Sequence, residues 1–137
     1  MFVRSLALAC IALGYAASAW AADCLAYEPD EVRLTGIVSL AHGFGPPGFG
    51  EDPAHDRKED YVLLTLDKPV CVTGGRDVTD EDVAAIDAFQ LVPKSGRRFH
   101  RRLLGKRISV SGTLFHRVSG GHTEVMILYT GAGKGQR

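Results

Sequence analysis

The sequence contains no HExxH helix, no G-x-S-x-G elbow and no phosphate-binding GxxxxGK[ST] loop, so the common signatures of zinc proteases, serine hydrolases and nucleoside triphosphatases are all missing. Asp52, Asp56 and Asp60 form a loose acidic series but lack the glycine and terminal glutamate of a calcium-binding EF-hand loop. Cysteine is scarce: there are three, and no two stand in Cys-x-x-Cys spacing. Aromatic residues make up 8% of the chain. Among strand residues only Tyr61, Phe89 and Phe115 are placed to turn a ring outward, too few for the stacking platforms of a single-stranded nucleic-acid binder. Acidic residues also run out, since after Val92 there is one, Glu124. These absences point away from an enzyme, from a cofactor and from nucleic acid.

The first two dozen residues read as a leader rather than as part of the fold. Arg4 supplies a positive start, Leu6 to Ala17 is an apolar run, and Ala19-Trp20-Ala21 has small residues where a signal peptidase reads. The run is shorter than the roughly 20 residues of a membrane span. The expected organisation is a signal peptide over 1–21, one β-barrel domain over 22–130 and a flexible tail over 131–137, with no stable membrane insertion after cleavage. The compartment expected is therefore periplasmic or secreted. Cleavage removes Cys10 and leaves Cys24 and Cys71, which in an exported protein are most simply a disulfide. A metal or catalytic role for the pair finds no local support, having neither Cys-x-x-Cys spacing nor a nearby histidine.

Charge is balanced overall but divided along the chain. From Asp23 to Val92 there are fifteen acidic and five basic residues, and from Pro93 onward ten basic residues face Glu124 alone. Such a division marks either an anion-binding face or a basic face neutralised by the domain's own acids.

Alternation sets the strands. Val32–His42 carries Val32, Leu34, Gly36, Val38 and Leu40 on one parity, and its central glycine suggests a bulge or sharp bend. A long Gly/Pro-rich loop, 43–60, follows, with Phe44 and Phe49 able to fold back onto the body. Tyr61–Leu66 is the second strand, broken at Asp67-Lys68-Pro69 before a short Val70–Val72 continuation, and Ile86–Val92 is the third. Ser95–Leu104 fits a short helix capped by Ser95, stacking Phe99 on Leu103 and stopped by Gly105. Arg107–His116, with Ile108, Val110, Gly112 and Leu114 inward, and Thr123–Thr130 complete the count. Three strands, a short helix and two strands is the order of an OB-like five-stranded Greek-key barrel.

The stretches C-L-A-Y-E-P-D-E-V-R-L-T-G, G-P-P-G-F-G-E-D-P, Y-V-L-L-T-L-D-K-P-V-C-V and L-L-G-K-R-I-S-V-S-G-T-L-F-H, followed by G-H-T-E-V, resemble a bacterial family of small exported domains classed only as a domain of unknown function. The resemblance spans Cys24 to about Leu128. It implies an exported β-rich domain, supports pairing Cys24 with Cys71 and implies no known activity. Members of that family often carry consecutive histidines before the threonine of the last turn, where this chain keeps His122 and Thr123.

Two groups of residues are candidates for binding. His42 ends the first strand while His116 and His122 flank the last turn, regions that border the usual OB-fold ligand site. With Thr123 they make a candidate ligand surface between loop 43–60 and turn 116–123. If the three imidazoles met they would suit zinc or copper, the alternative reading. The basic stripe Arg97, Arg98, Arg101, Arg102, Lys106 and Arg107 is the second group, with Arg98 and Arg102 its chosen representatives. The expected function is a non-enzymatic binding or accessory module of the cell envelope, recognising an anionic ligand or a protein partner.

Overall fold

The computed structural model describes residues 23–94, 98–117 and 121–134. The expected leader, the Ser95 cap, Arg97 and the centre of the last turn lie outside the described residues. The protein is mainly β. Its strands are β1 (Leu25–Ala26), β2 (Glu31–Phe44), β3 (Lys58–Thr73), β4 (Val83–Pro93), β5 (Arg107–His116) and β6 (Val125–Lys134).

These form one six-stranded sheet in the order β1-β3-β2-β5-β6-β4, with β3 also paired to β4. β2 is antiparallel to β3 through Gly36↔Leu66 to Phe44↔Lys58, and to β5 through Glu31↔Thr113 to Ile37↔Arg107. β4 runs parallel to β6 through Gln90↔Met126 to Pro93↔Tyr129. The alternation read in β5 holds: Ile108, Val110, Gly112 and Leu114 are buried, and Ser109, Ser111 and Thr113 are the half-exposed positions between them. Val38, Leu64, Phe89, Val110, Leu114 and Ile127 are fully enclosed and form the centre of the core.

Both mid-strand glycines sit where another backbone crosses closely. A Cβ at Gly36 would overlap the carbonyl oxygen of Thr65, and one at Gly112 would overlap that of Leu128. Gly36 also lies where β2 pairs on both sides, with Leu66 and with Ile108, as does its neighbour Ile37. A bend with backbone on either side leaves room only for hydrogen.

Several expectations need correction. The strand count is six, because the lead-in contributes β1, parallel to Val72–Thr73 beside the disulfide. Asp67-Lys68-Pro69 does not end the second strand. β3 runs on to Thr73 and absorbs the interruption as irregular pairing with β4 between Thr65 and Val72. β6 continues to Lys134, into the stretch expected to be tail, where Gly131 to Lys134 pair with β5. Leu40 has the inward parity of Val38 yet is 36% exposed, because the β2–β3 hairpin there extends beyond the core. Phe89, a candidate for an outward ring, is completely buried.

The short helix is also corrected. Among residues 98–104 only Arg101–Leu103 is helical, as a single 3-10 turn. Its leading residue His100 is extended, no side chain caps it, and its first turn has no acidic residue to offset the arginines. Phe99, Leu103 and Leu104 nonetheless all pack onto the core. The stop signal was legible: Gly105 has φ 75°, and its N–H donates to the Val38 carbonyl at 2.8 Å.

Two further contacts fix the ends of the sheet. Cys24 and Cys71 form the disulfide, 47 residues apart in sequence. Tyr27 is 1% exposed, and its hydroxyl donates to the Glu81 carbonyl at 2.7 Å. Burial, followed by the nearby carboxylates of Asp80 and Glu124, pushes its phenol up to about 12.

Candidate functional site

The three histidines do not meet, and the reason is the period of a strand. Ala41, Gly43, Glu59 and Tyr61 share one face of the β2–β3 hairpin, while His42 and its cross-strand partner Asp60 share the other. His122 packs on the first of these faces. Its ring stacks on Tyr61 with centroids 3.9 Å apart and planes 7° from parallel, and it lies so close to Gly43 that a Cβ there would strike it. His42 instead bonds Asp60 through Nδ1 at 2.6 Å. His116 holds its own neighbour, Nδ1 facing the Arg117 carbonyl at 3.0 Å. Among the described residues no three His, Cys, Asp or Glu side chains are grouped to hold a metal ion, and the zinc or copper reading is set aside.

Loop and turn do come together, chiefly through contacts that hold the fold. Gln90 is the residue sequence reasoning missed: its Oε1 accepts the His122 N–H at 2.8 Å, and its own N–H donates to Thr123 Oγ1 at 2.9 Å. The Thr123 hydroxyl in turn donates to the Val125 carbonyl at 2.7 Å. Glu59 pairs with Arg57 at 2.7 Å and approaches His122 Nε2 at 3.9 Å. Most of the polar groups expected to face a ligand are thus engaged with one another.

Loop 45–57 is organised by Asp56, whose carboxylate accepts the N–H groups of Gly48, Gly50 and Asp52 at 2.6, 2.7 and 3.1 Å. Burial pushes this carboxyl up, and the N–H donors of Gly50, Gly48 and Asp52 more than reverse it, leaving the group below its ordinary value of 3.8. A carboxylate depressed in the folded state contributes order that is full above the ordinary value and lost as pH falls through the folded one. Amide exchange at Gly48, Gly50 and Asp52, expressed as protection relative to each amide's intrinsic rate at the same pH, is therefore expected to stay slow at pH 5 and to lose that protection below about pH 3.8. Asp56→Asn should accelerate it about tenfold at neutral pH by removing the charged acceptor. Equal exchange in both proteins would show that the carboxylate does not order the loop.

The second candidate group fares differently. Arg98 and Arg102 line an open groove of about 660 Å³ between the 3-10 turn and β6. Phe99 and Tyr129 meet there edge to face, with centroids 6.3 Å apart, and His100 completes the basic side. No carboxylate lines the groove among the described residues. Arg107 does not belong to it: its guanidinium is taken by both carboxylate oxygens of Asp67, which that hydrogen bond holds below the usual range. Arg98, Arg101 and Arg102 form no ion pair among the described residues. Among the described residues, acids therefore pair with Arg57 and Arg107 and with none of this cluster. Phe99 and Tyr129 were not singled out by sequence reasoning; their link appears only when the turn is packed on β6.

No curated protein and no solved structure matches the chain. Residues 88–129 are similar to the family described as a domain of unknown function, DUF4431, a match that takes in the second half of β4, the arginine turn, β5 and the start of β6 through Tyr129.

Proposed function

We propose that this protein is an exported, non-enzymatic binding or accessory module of the cell envelope, and that it recognises an anionic ligand or the acidic face of a partner. The observation that carries the reading is the basic groove, in which Arg98, His100 and Arg102 surround Phe99 and Tyr129 with no carboxylate in the lining. Guanidinium groups without internal partners suit carboxylates, sulfates or phosphates, and aromatic rings beneath them add apolar contact. The groove takes precedence over loop 43–60 and turn 116–123, whose Asp56, Glu59 and Thr123 are engaged internally. Export is supported by the apolar leader in the sequence and by a disulfide suited to an oxidising compartment.

An OB-like reading of the architecture belongs with this proposal. Pairings run β2–β3, β3–β4, β4–β6, β6–β5 and β5–β2, so each of the five long strands has two neighbours among the other four and the β4–β6 pair is parallel. A five-stranded Greek-key barrel would use that circuit, with β1 as an addition at its side.

The test is affinity for a heparin oligosaccharide, used as a polyanion probe, at a series of salt concentrations. Binding should weaken steadily as salt rises, and Arg98→Glu combined with Arg102→Glu should reduce it at least about tenfold, because two attractive charges become repulsive. Both residues are exposed, so the variant should keep its melting temperature. Absence of salt-sensitive binding in the unaltered protein would overturn the anion reading.

A further inference from the structure

The groove has a second wall that the arginines do not explain. β6 pairs with β4 only from Met126 to Tyr129, whereas its pairing with β5 continues to Lys134. From Thr130 to Lys134 the strand thus has one neighbour, β5, and among the described residues no strand pairs with its other edge. Thr130, Gly131 and Ala132 of that stretch line the groove together with Arg98, His100 and Arg102. A strand edge presents alternate N–H and C=O groups, and proteins usually shield it with bulky charged side chains, proline or a covering segment. Here the sequence is Thr-Gly-Ala-Gly-Lys, and neither Gly131 nor Gly133 has any atom where a Cβ would stand. Among the described residues no side chain crowds the backbone at Gly131 or Gly133, and Gly131 lines the groove that Arg98 and Arg102 also line.

We propose that the groove receives an extended acidic segment of a partner protein, added as a strand beside Thr130–Lys134 with its carboxylates directed at Arg98 and Arg102. This rests on the anion-binding reading and deepens it, since a free polyanion needs the arginines but has no use for the strand edge. Two features favour a polypeptide over a polysaccharide. The edge offers peptide donors and acceptors at strand spacing, over about 14 Å for its five residues. Phe99 and Tyr129 line the same groove as the edge and the arginines, and offer apolar surface to the apolar side chains of an alternating segment. Main-chain pairing supplies affinity and the guanidinium groups select acidic sequences, the usual division in strand addition.

The experiment uses the mature protein and four probes: the peptide Glu-Val-Glu-Thr-Glu-Val-Glu, the same peptide methylated at every backbone amide, a version with each Glu replaced by Gln, and the heparin oligosaccharide. The unmodified peptide should bind, and both the methylated and the Gln forms should bind at least tenfold more weakly. Hydrogen exchange should slow at residues 130–134 on peptide addition and not on heparin addition. Equal binding of methylated and unmodified peptides, or protection confined to other strands, would overturn strand addition while leaving the anion reading in place. Heparin binding without peptide binding would do the same. If no anionic probe binds, the anion reading falls and strand addition falls with it. Because the methylated peptide tests backbone pairing on the unaltered protein, the outcome does not depend on whether an edge variant folds.

Discussion

Removing the Cys24–Cys71 bond should lower the stability of the folded domain by about 4 kcal/mol, the largest single effect expected in this protein. The bond spans 47 residues, and in the chain-entropy account its main action is on the unfolded chain, whose freedom it restricts. What it secures in the folded state is slight without it. β1 is two residues long and has one neighbour, pairing Leu25 with Val72 and Ala26 with Thr73. A strand so short cannot meet the cost of its own ordering. Tyr27 follows directly and is among the largest fully buried side chains, so releasing the lead-in also threatens a core residue. For a domain of this size the loss corresponds to roughly 15 °C in melting temperature. Thermal unfolding of the oxidised protein, of the protein with reductant and of the Cys24→Ala, Cys71→Ala double variant checks it. The last two should agree, and a reductant-insensitive melting temperature would refute the expectation.

Phe89→Ala should cost nearly as much, about 4 kcal/mol, through the cavity it leaves. Phe89 is fully enclosed on β4 and lies opposite Leu64 of β3, in the strand that pairs with β3 on one side and β6 on the other. The deletion therefore loosens a strand on which two others depend. Gln90, the next residue, holds the His122 N–H and the Thr123 hydroxyl, so the last turn should lose protection together with the core. Phe89→Leu keeps most of the volume and should cost about 1 kcal/mol. Urea unfolding with an unchanged slope measures both differences. A loss below 1 kcal/mol for the alanine variant would mean that the space collapses around the smaller side chain.

What could be read from the sequence, and what could not, follows from the range of the interactions concerned. β5 was placed to the residue because strict alternation of Ile108, Val110 and Leu114 with Ser109, Ser111 and Thr113 is a local signal. Gly36 and Gly112 were legible as special positions for the same reason, although the carbonyls that approach them come from other strands. The arginine segment misled because Phe99, Leu103 and Gly105 satisfy a helix pattern, whereas the contact of Phe99 with Tyr129, thirty residues away, is invisible to a local pattern. The histidine site failed on parity: a strand places His42 and Gly43 on opposite faces, and His122 lies against Gly43. Cysteine pairing was the one long-range feature that counting could reach. Arg98 and Arg102 stand out in the sequence by charge alone, whereas the unpaired stretch of β6 among the described residues does not, since it depends on where β4 stops accompanying β6.

The position of β6 bears on how the chain reaches this structure. β6 is the strand that gives β4 its parallel neighbour and β5 its second antiparallel one, yet it comes last in sequence among the strands. β2, the first long strand, must likewise await β5, as the Thr35 hydroxyl bonded to Ser109 illustrates across 74 residues. A chain built from such distant pairings folds on the slower side, in milliseconds to seconds. Until Val125–Ile127 dock, the apolar faces of β4 and β5 are exposed to solvent with unpaired edges, the condition in which nascent chains adhere to one another. A polypeptide interrupted before β6 would therefore be expected to leave the edges of β4 and β5 unpaired and to aggregate more readily than the full chain.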